Sequence, residues 1–196
     1  MTHYYDQDQK SPLNEQELSV KLRNREVKLI SASGLFSKTK LDLGTKCLLE
    51  NYEIGNAKKV LDLGCGYGVV AIFVAKEKPV EVWASDINQR AVEITQKNVK
   101  KNKVKVNVVH SNLFSDINEQ FDLILTNPPY VAGRETCFKF IEESFNHLNP
   151  KGELQLVARH QKGGKMLESK MEELFGNVDV LGKGSGFRLY RSHKTN

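Results

Sequence analysis

The sequence predicts an α/β fold: a doubly wound, mostly parallel seven-stranded sheet with helices on both faces and an antiparallel hairpin at its C-terminal edge. From residue 58 onward, short apolar runs alternate with helical segments. Strands that alternate with helices of ~10–15 residues indicate a parallel sheet covered on both sides. The last two apolar runs are separated only by GKGSG, and strands so close in the chain are expected to pair as an antiparallel hairpin.

The elements can be assigned in order along the chain. The segment GTKCLLENY is expected to be a helix after the turn SGLFSKTKLDLG. The segment KKVLDL is a short apolar strand that ends at a glycine. The segment RAVEITQKNVKKN has one apolar face at helical spacing, so it is a helix. From residue 58 the order is strand 58–63, helix 66–77, strand 80–86, helix 90–102, strand 105–110, strand 121–126, helix 135–148, strand 152–158, helix 165–175, and strands 177–181 and 186–191. We expect one domain over 1–196, with a polar N-terminal extension (1–30), a segment near substrate and cofactor (31–57), and a cofactor-binding core (58–192).

The composition indicates a soluble chain with one sizeable core, since 39% of residues are hydrophobic and the mean hydropathy is −0.46. No apolar run has the length of a membrane span, and the polar N-terminus lacks a signal-peptide core, so a cytoplasmic protein without a membrane partner is expected. Cys47, Cys65 and Cys137 are odd in number and widely spaced, which favours reduced thiols. The histidines show no ligand spacing, so no metal centre is expected.

The positive charge is unevenly distributed. The net charge is +5 and the sequence pI is about 9.0. Basic residues gather in NREVK (24–28), KNVKKNKVK (97–105) and RLYRSHK (188–194). Each cluster alone is compatible with a solvated surface, but together they favour a polyanionic partner such as a nucleic acid.

A glycine loop follows the first strand of the predicted core. In DLGCGYG, Gly64, Gly66 and Gly68 lead from a strand into a helix, where a backbone without Cβ atoms can approach a ligand closely. A dinucleotide-binding GxGxxG motif would need glycine at position 69, which is valine here, and the GK[ST] ending of a phosphate-binding loop is absent. Asp86 ends the next strand, where a carboxylate can accept both hydroxyls of a ribose. A tight turn without a ligand is the structural alternative.

A second motif, NPPY, follows the apolar run FDLILT. Pro128 and Pro129 lack backbone donors and end the strand abruptly. Asn127 and Tyr130 flank them with an amide and an aromatic ring. A stiff turn between strand and helix would explain the prolines, but the glycine loop earlier in the chain favours a functional interpretation.

VLDLGCGYG, the acidic end of the next strand and NPPY together resemble the class I S-adenosylmethionine-dependent methyltransferases of the NPPY type. SGLFSKTKLDLGTKCLLE upstream, and GELQLVARHQKGG and GFRLYRS downstream, resemble the catalytic domain of the small-subunit ribosomal RNA guanine-N2 methyltransferases. The resemblance covers about residues 31–192, without a counterpart of the extra N-terminal domain of longer relatives.

The resemblance implies that S-adenosylmethionine is the cofactor. It places the Gly64–Gly66 backbone against the methionine part, Asp62 near the amino group and Asp86 on the ribose. Ile87 would pack on the adenine, and Asn112 stands where the family usually has an acidic residue, which we expect to weaken binding by about 1 kcal/mol. The full cofactor-binding set is Phe36, which could line the cofactor or the base pocket, Asp62, Gly64, Cys65, Gly66, Gly68, Asp86, Ile87, Asn112, Leu113 and Asn127.

The catalytic set implied by the resemblance is Asn127, Pro128, Pro129 and Tyr130. The Asn127 side-chain oxygen and the Pro128 carbonyl would accept the two hydrogens of a planar amine, so that the nitrogen lone pair points at the methyl group. The prolines fix the carbonyl direction, and Tyr130 offers a face for stacking a base, worth ~1–3 kcal/mol. The proton leaves after the nitrogen becomes cationic, so no general base is required.

The expected function is methylation of an exocyclic amine of an RNA base, most of all guanine N2 in ribosomal or transfer RNA. The target base must be single-stranded, looped or flipped out. The alternatives are glutamine-N5 methylation of a protein, adenine-N6 methylation of a nucleic acid, and a non-catalytic nucleic-acid-binding protein. Monomer and homodimer both stay open. The candidate phosphate contacts are Lys38, Lys40, Arg134, Arg159, Lys162 and Arg188.

Overall fold

The structure, a computed structural model, describes residues 15–32 and 41–195. The strands are β1 (Glu15–Leu22), β2 (Arg25–Ala32), β3 (Lys59–Leu63), β4 (Glu81–Asp86), β5 (Asn107–His110), β6 (Phe121–Thr126), β7 (Leu148–Arg159), β8 (Asp179–Gly184) and β9 (Phe187–His193). The helices are α1 (Leu43–Asn51), α2 (Val69–Glu77), α3 (Gln89–Asn102), α4 (Arg134–His147) and α5 (Lys165–Phe175). Short helical turns cover Tyr130–Ala132 and His160–Gly164.

The predicted seven-stranded sheet is confirmed. Its strand order is β5-β4-β3-β6-β7-β9-β8. Strand β4 pairs with β5, and β6 pairs with β7, in parallel. The C-terminal strands pair antiparallel, with β9 inserted beside β7 and β8 outermost, which is the predicted edge hairpin.

A second sheet lies in the segment 1–30 that the sequence predicted as a polar extension. Strands β1 and β2 form a two-stranded antiparallel hairpin in which Leu22 pairs with Arg25. The intervening Arg23 and Asn24 both have positive φ, 49° and 58°, as a tight two-residue hairpin turn requires. Val20, Val27 and Leu29 are buried, whereas the other face of the hairpin is mostly polar and exposed before Ile30. The buried residues are therefore too few to mark a strand by composition.

The described residues fall into two compact units. The first contains residues up to Asp42 and Asp62–Ile117, and the second contains Leu43–Leu61 and the chain from Asn118 onward. In the first, α2 is buried from Val69 to Val74, which explains why that helix is apolar on every side. In the second, the largest fully buried side chains include Tyr52, Phe121 and Tyr190.

Two asparagine amides attach β2 to α3 within the first unit. The Asn98 side chain accepts a hydrogen bond from the Ile30 amide at 2.7 Å and donates to the Ile30 carbonyl at 2.8 Å. One turn later, Asn102 does the same with Lys28, at 3.3 and 2.7 Å. Asn98 is fully buried and also donates to the Tyr67 carbonyl at 2.8 Å. The amides therefore satisfy backbone groups of β2 that no strand pairs.

Gly68, which precedes α2, has φ +81° and packs against Thr95 of α3. A Cβ atom there would lie 2.6 Å from the Thr95 methyl group. Thr95 cannot easily move, since it is fully buried and its hydroxyl donates to the Gly66 carbonyl at 3.0 Å. The position therefore requires glycine for both its backbone conformation and its lack of a side chain.

We predict that Gly68→Ala destabilises the fold by about 2–5 kcal/mol, because it combines a left-handed alanine with a buried clash. Gly55→Ala is the matched control: Gly55 has φ +53°, but a Cβ atom at this position would meet no other atom within 4 Å. The free energy of unfolding of Gly55→Ala should fall by only ~1–2 kcal/mol. Urea unfolding of both variants measures the difference, and equal losses would show that the contact with Thr95 does not matter.

Candidate functional site

The glycine loop is held over the end of β4 by its own backbone. Gly64, Gly66 and Gly68 all have positive φ, between 58° and 81°. The amides of Gly64 and Cys65 both donate to the Ser85 carbonyl at 2.9 Å, and the Gly68 amide donates to the Cys65 carbonyl at 2.8 Å. Gly64 is exposed, so its backbone is open to a ligand.

Asp62 is a buried carboxyl group at the start of this loop. Its Oδ2 accepts a hydrogen bond from the Ala71 amide at 3.0 Å. Because Gly68 has no side chain to cap α2, Asp62 takes over the capping of that helix. Burial raises the pKa of Asp62 to about 7; the Ala71 hydrogen bond opposes this rise, and the nearby Asp86 adds to it. A cationic ligand group would lower the pKa of Asp62 again, because it would stabilise the ionised carboxylate.

Asp86 joins the glycine loop to the next turn. Its Oδ2 accepts from the Gly66 amide at 2.9 Å, and its Oδ1 accepts from the Asn88 amide at 2.9 Å. Asn88 in turn caps α3 through the Arg90 amide at 3.0 Å. A carboxylate can accept about four hydrogen bonds, so the predicted ribose contact is compatible with these two bonds. That contact stays a prediction.

The predicted adenine-binding residues lie after β4 and β5. Ile87 is half-buried, and its carbonyl accepts from His110 Nε2 at 2.8 Å. The Asn112 side chain is exposed. Leu113 has φ +54°, unusual for a residue with a branched side chain, and its carbonyl accepts from the Ser111 hydroxyl at 2.9 Å. His110 and Ser111 therefore orient this segment, and no motif in the sequence marked them.

Asn127 follows β6 in the second unit, and its side chain is hydrogen-bonded to Thr45 of α1. The Asn127 Nδ2 group donates to the Thr45 hydroxyl at 3.1 Å. With the nitrogen at Thr45, the amide oxygen is the acceptor end of the side chain, which is compatible with the predicted role in binding an amine. Thr45 is 8% exposed and was missed by the sequence analysis, because a threonine early in a helix carries no distinguishing signal.

The two prolines differ in their carbonyl partners. The Pro129 carbonyl accepts from the Ala132 amide at 3.0 Å, and the Cys137 thiol lies 3.8 Å from it. Within residues 15–32 and 41–195, no donor bonds to the Pro128 carbonyl. Pro128 is also the more buried of the two. Its carbonyl therefore has no donor among the described residues, and its role as the second of the two acceptors stays a prediction.

The hydroxyl end of Tyr130 lies inside the protein. The hydroxyl is buried and has no hydrogen-bond partner among the described residues, although the Arg159 backbone lies near it. Burial raises the pKa of this phenol well above its usual range. Its ring contacts Gly163, where a Cβ atom would lie 3.6 Å from ring atom Cε1. The sequence predicted a ring face open to a base, whereas Tyr130 is half-buried, so part of its role is to anchor the motif. Stacking of a base stays a prediction.

The other predicted residues are distributed as follows. Phe36, Lys38 and Lys40 lie outside the described residues. Arg134 begins α4, and Arg159, Lys162 and Arg188 belong to the end of β7, the turn after it and β9. Cys47, Cys65 and Cys137 are buried free thiols.

Two absences concern the described part of the chain. Residues 15–32 and 41–195 contain no group of three or more His, Cys, Asp or Glu side chains that could hold a metal ion. None of the helices in these ranges is long and apolar enough to cross a membrane.

The chain matches proteins of known family. The profile described as Methyltransferase small domain matches residues 26–191. The uncharacterized protein YbxB of Bacillus subtilis (strain 168) is 35% identical over 98% of both chains. Ribosomal RNA small subunit methyltransferase C of Hamiltonella defensa is 37% identical over 86% of this chain and 51% of that protein. This chain spans about half the length of the relatives that carry that name.

Solved structures agree with these matches. A T. thermophilus 16S rRNA N2 G1207 methyltransferase, in complex with AdoMet and guanosine, superposes with a TM-score of 0.84 and 26% identity, over 93% of this chain and 51% of that one. A methyltransferase from Pyrococcus furiosus, with a TM-score of 0.65 and 22% identity, shares the fold over 72% of this chain and 77% of that one. The family profile spans most of the chain, and the glycine loop and NPPY motif both lie inside it. The chain therefore belongs to the methyltransferase small domain family.

Proposed function

We propose that the protein is an S-adenosylmethionine-dependent methyltransferase that acts on the exocyclic amine of an RNA base, guanine N2 in ribosomal or transfer RNA. The observation that carries this proposal is the place of Asn127 and Pro128 directly after β6, with the nitrogen of the Asn127 amide bonded to Thr45 at 3.1 Å. Relatives named as ribosomal RNA methyltransferases support RNA as the substrate class.

The donor is assigned to the glycine loop and the strand ends of the first unit. The exposed Gly64 backbone and the positive φ values of the loop suit close approach of an amino-acid moiety. Asp62, buried and with a raised pKa, would pair with the amino group, and Asp86 would accept the ribose hydroxyls. When bound, S-adenosylmethionine supplies an activated methyl group on a sulfonium.

The acceptor amine is assigned to the NPPY motif of the second unit. Its two hydrogens would bond to the Asn127 Oδ1 atom and the Pro128 carbonyl, which favours a pyramidal nitrogen with an available lone pair. The amine forms the new N–C bond as the donor's C–S bond breaks, the bonding pair stays on sulfur, and the nitrogen then releases a proton to water. Orientation of the amine contributes to the rate, an effect that can reach ~7–11 kcal/mol.

Two other substrates use the same motif chemistry. The planar amide of a protein glutamine and the N6 amine of adenine also present an NH2 group with a delocalised lone pair. The net charge of +5 and the names of the relatives favour RNA over both.

We predict that the protein transfers labelled methyl groups to ribosomal RNA, and that Asn127→Ala lowers this transfer by about 100-fold or more while the donor's Kd stays within about twofold. Asn149→Ala is the matched control, since Asn149 bonds to Asp122 and has no part in the motif. The assay offers RNA, DNA and protein extract separately. Label entering protein but not RNA, or unchanged transfer by Asn127→Ala, would refute the proposal.

A second prediction concerns Thr45 as the positioning residue for Asn127. Thr45→Val has nearly the same shape but no hydroxyl, so the amide of Asn127 loses its hydrogen-bond partner. We expect kcat to fall by roughly tenfold, with the donor's Kd unchanged. Thr45→Ser keeps the hydroxyl and should restore most of the rate. If the valine and serine variants lost activity equally, Thr45 would matter only for packing.

A third prediction follows from Asp62. Below its folded pKa of about 7, Asp62 is protonated in the free protein and must lose its proton to pair with a cationic amino group. Donor affinity should therefore rise from about pH 5.5 to about pH 7.5 and then level off. Asp62→Asn should bind the donor more weakly and with a flat profile over this range. Calorimetric titration measures both, and a flat wild-type profile would contradict the assignment.

A further inference from the structure

Three of the basic residues that the sequence groups together are paired with carboxylates in the structure. Lys97 and Lys101, in the cluster 97–105, form ion pairs with Glu15 and Glu17 of β1. Near the C-terminus, Arg191 is shared between Glu53 at 3.1 Å and Asp179 at 3.2 Å. Such charges are already paired and contribute little to attracting a polyanion.

A second set of cations is not compensated by carboxylates, and only Arg188 of this set belongs to one of the basic clusters seen in the sequence. We call it the His160 cluster, since its members surround that residue: Arg159, Lys162, Lys165, Lys183 and Arg188. Across the described residues, none of the five forms an ion pair. All but Arg188 are exposed.

Three elements of the second unit bring the cluster together. Arg159 ends β7, Lys165 begins α5, and the register of the edge hairpin places Lys183 opposite Arg188. His160 connects these elements, because its amide donates to the Gly186 carbonyl at 3.1 Å and its Nδ1 lies 2.7 Å from the Tyr190 hydroxyl.

The pKa of His160 is affected by cations of the cluster, so these cations lie near its ring. Burial lowers the pKa of His160, and three cations of the cluster lower it further, Arg188 with the largest effect of the three. The carboxylate of Glu168 opposes them, 3.9 Å from Nδ1. The local balance is therefore positive, and mutual repulsion of these charges costs stability unless an anion is bound.

The cluster continues directly from the NPPY motif. Gly163, in the turn between Arg159 and Lys165, contacts the Tyr130 ring, and the Arg159 backbone amide lies near the buried Tyr130 hydroxyl. Some of the cations therefore lie on the same segment of the chain that packs beside Tyr130 of the NPPY motif.

We propose that the His160 cluster binds the phosphates of the nucleotides that flank the target base in a single-stranded RNA. This inference rests on the proposed function, and it names the surface that holds the strand while NPPY holds the base. A polynucleotide supplies phosphates at regular spacing, which matches a set of unpaired cations spread over neighbouring elements better than a single bound ion does.

The test compares two triple variants of the full chain with equal change in charge. Arg159→Gln, Lys162→Gln and Lys183→Gln remove three exposed cations of the cluster. The control, Lys21→Gln, Lys97→Gln and Lys101→Gln, removes three lysines that pair with carboxylates in the first unit. Binding of purified small-subunit ribosomal RNA and of a mixed-sequence single-stranded oligoribonucleotide is measured over a range of salt concentrations.

We expect the cluster variant to bind RNA about 10- to 100-fold more weakly, and the slope of log K against log salt to become shallower by roughly 2, with the donor's Kd unchanged. Its midpoint of unfolding should not fall below that of the wild type, because three mutually repelling charges are removed. The control variant should stay close to the wild type. Equal losses in both variants, or none in the cluster variant, would overturn the proposed surface. RNA binding without methyl transfer by the wild type would instead overturn the proposed function, so the two failures are distinguishable.

Discussion

The glycine loop depends on two buried carboxylates. Asp62 caps α2 in place of a side chain that Gly68 lacks, and Asp86 accepts the amides of Gly66 and Asn88. Burying carboxylates is costly, which is seen in the raised pKa of Asp62. The two carboxylates are buried where the backbone has left-handed conformations that no helix or strand could stabilise. We propose that the same two carboxylates also contact the amino group and the ribose hydroxyls of the donor.

In the second unit, the proposed acceptor of the amine bonds to a residue far away in the chain. An asparagine side chain can present either its oxygen or its nitrogen, and its surroundings decide which. The nitrogen of Asn127 donates to Thr45 of α1. We therefore propose that α1 and NPPY together present the acceptor oxygens. The Tyr130 ring lies beside Gly163 in the segment after β7, and its hydroxyl is buried.

The sequence predicted the regular elements well, because apolar periodicity and glycine or proline stops are local signals. Helix 165–175 has the predicted bounds, and strand 121–126 does as well. The β1–β2 hairpin was missed, since its turn uses Arg23 and Asn24 instead of glycine. Contacts between distant residues could not be predicted either: Thr45 and Asn127 are 82 positions apart. For the same reason the sequence could not show that Lys97 and Lys101 pair with Glu15 and Glu17, because ion pairing depends on neighbours that only the fold provides.

The two asparagines that bind β2 have a consequence for the behaviour of the protein in concentrated solution. A two-stranded sheet exposes a row of unpaired amides and carbonyls, which invites another chain to add a strand. Asn98 and Asn102 occupy those groups at Ile30 and Lys28 with side chains of a packed helix. A helix cannot extend such pairing any further. The β2 edge of the hairpin is therefore closed to strand addition at Lys28 and Ile30, and another copy of the chain cannot pair with the backbone at these two positions.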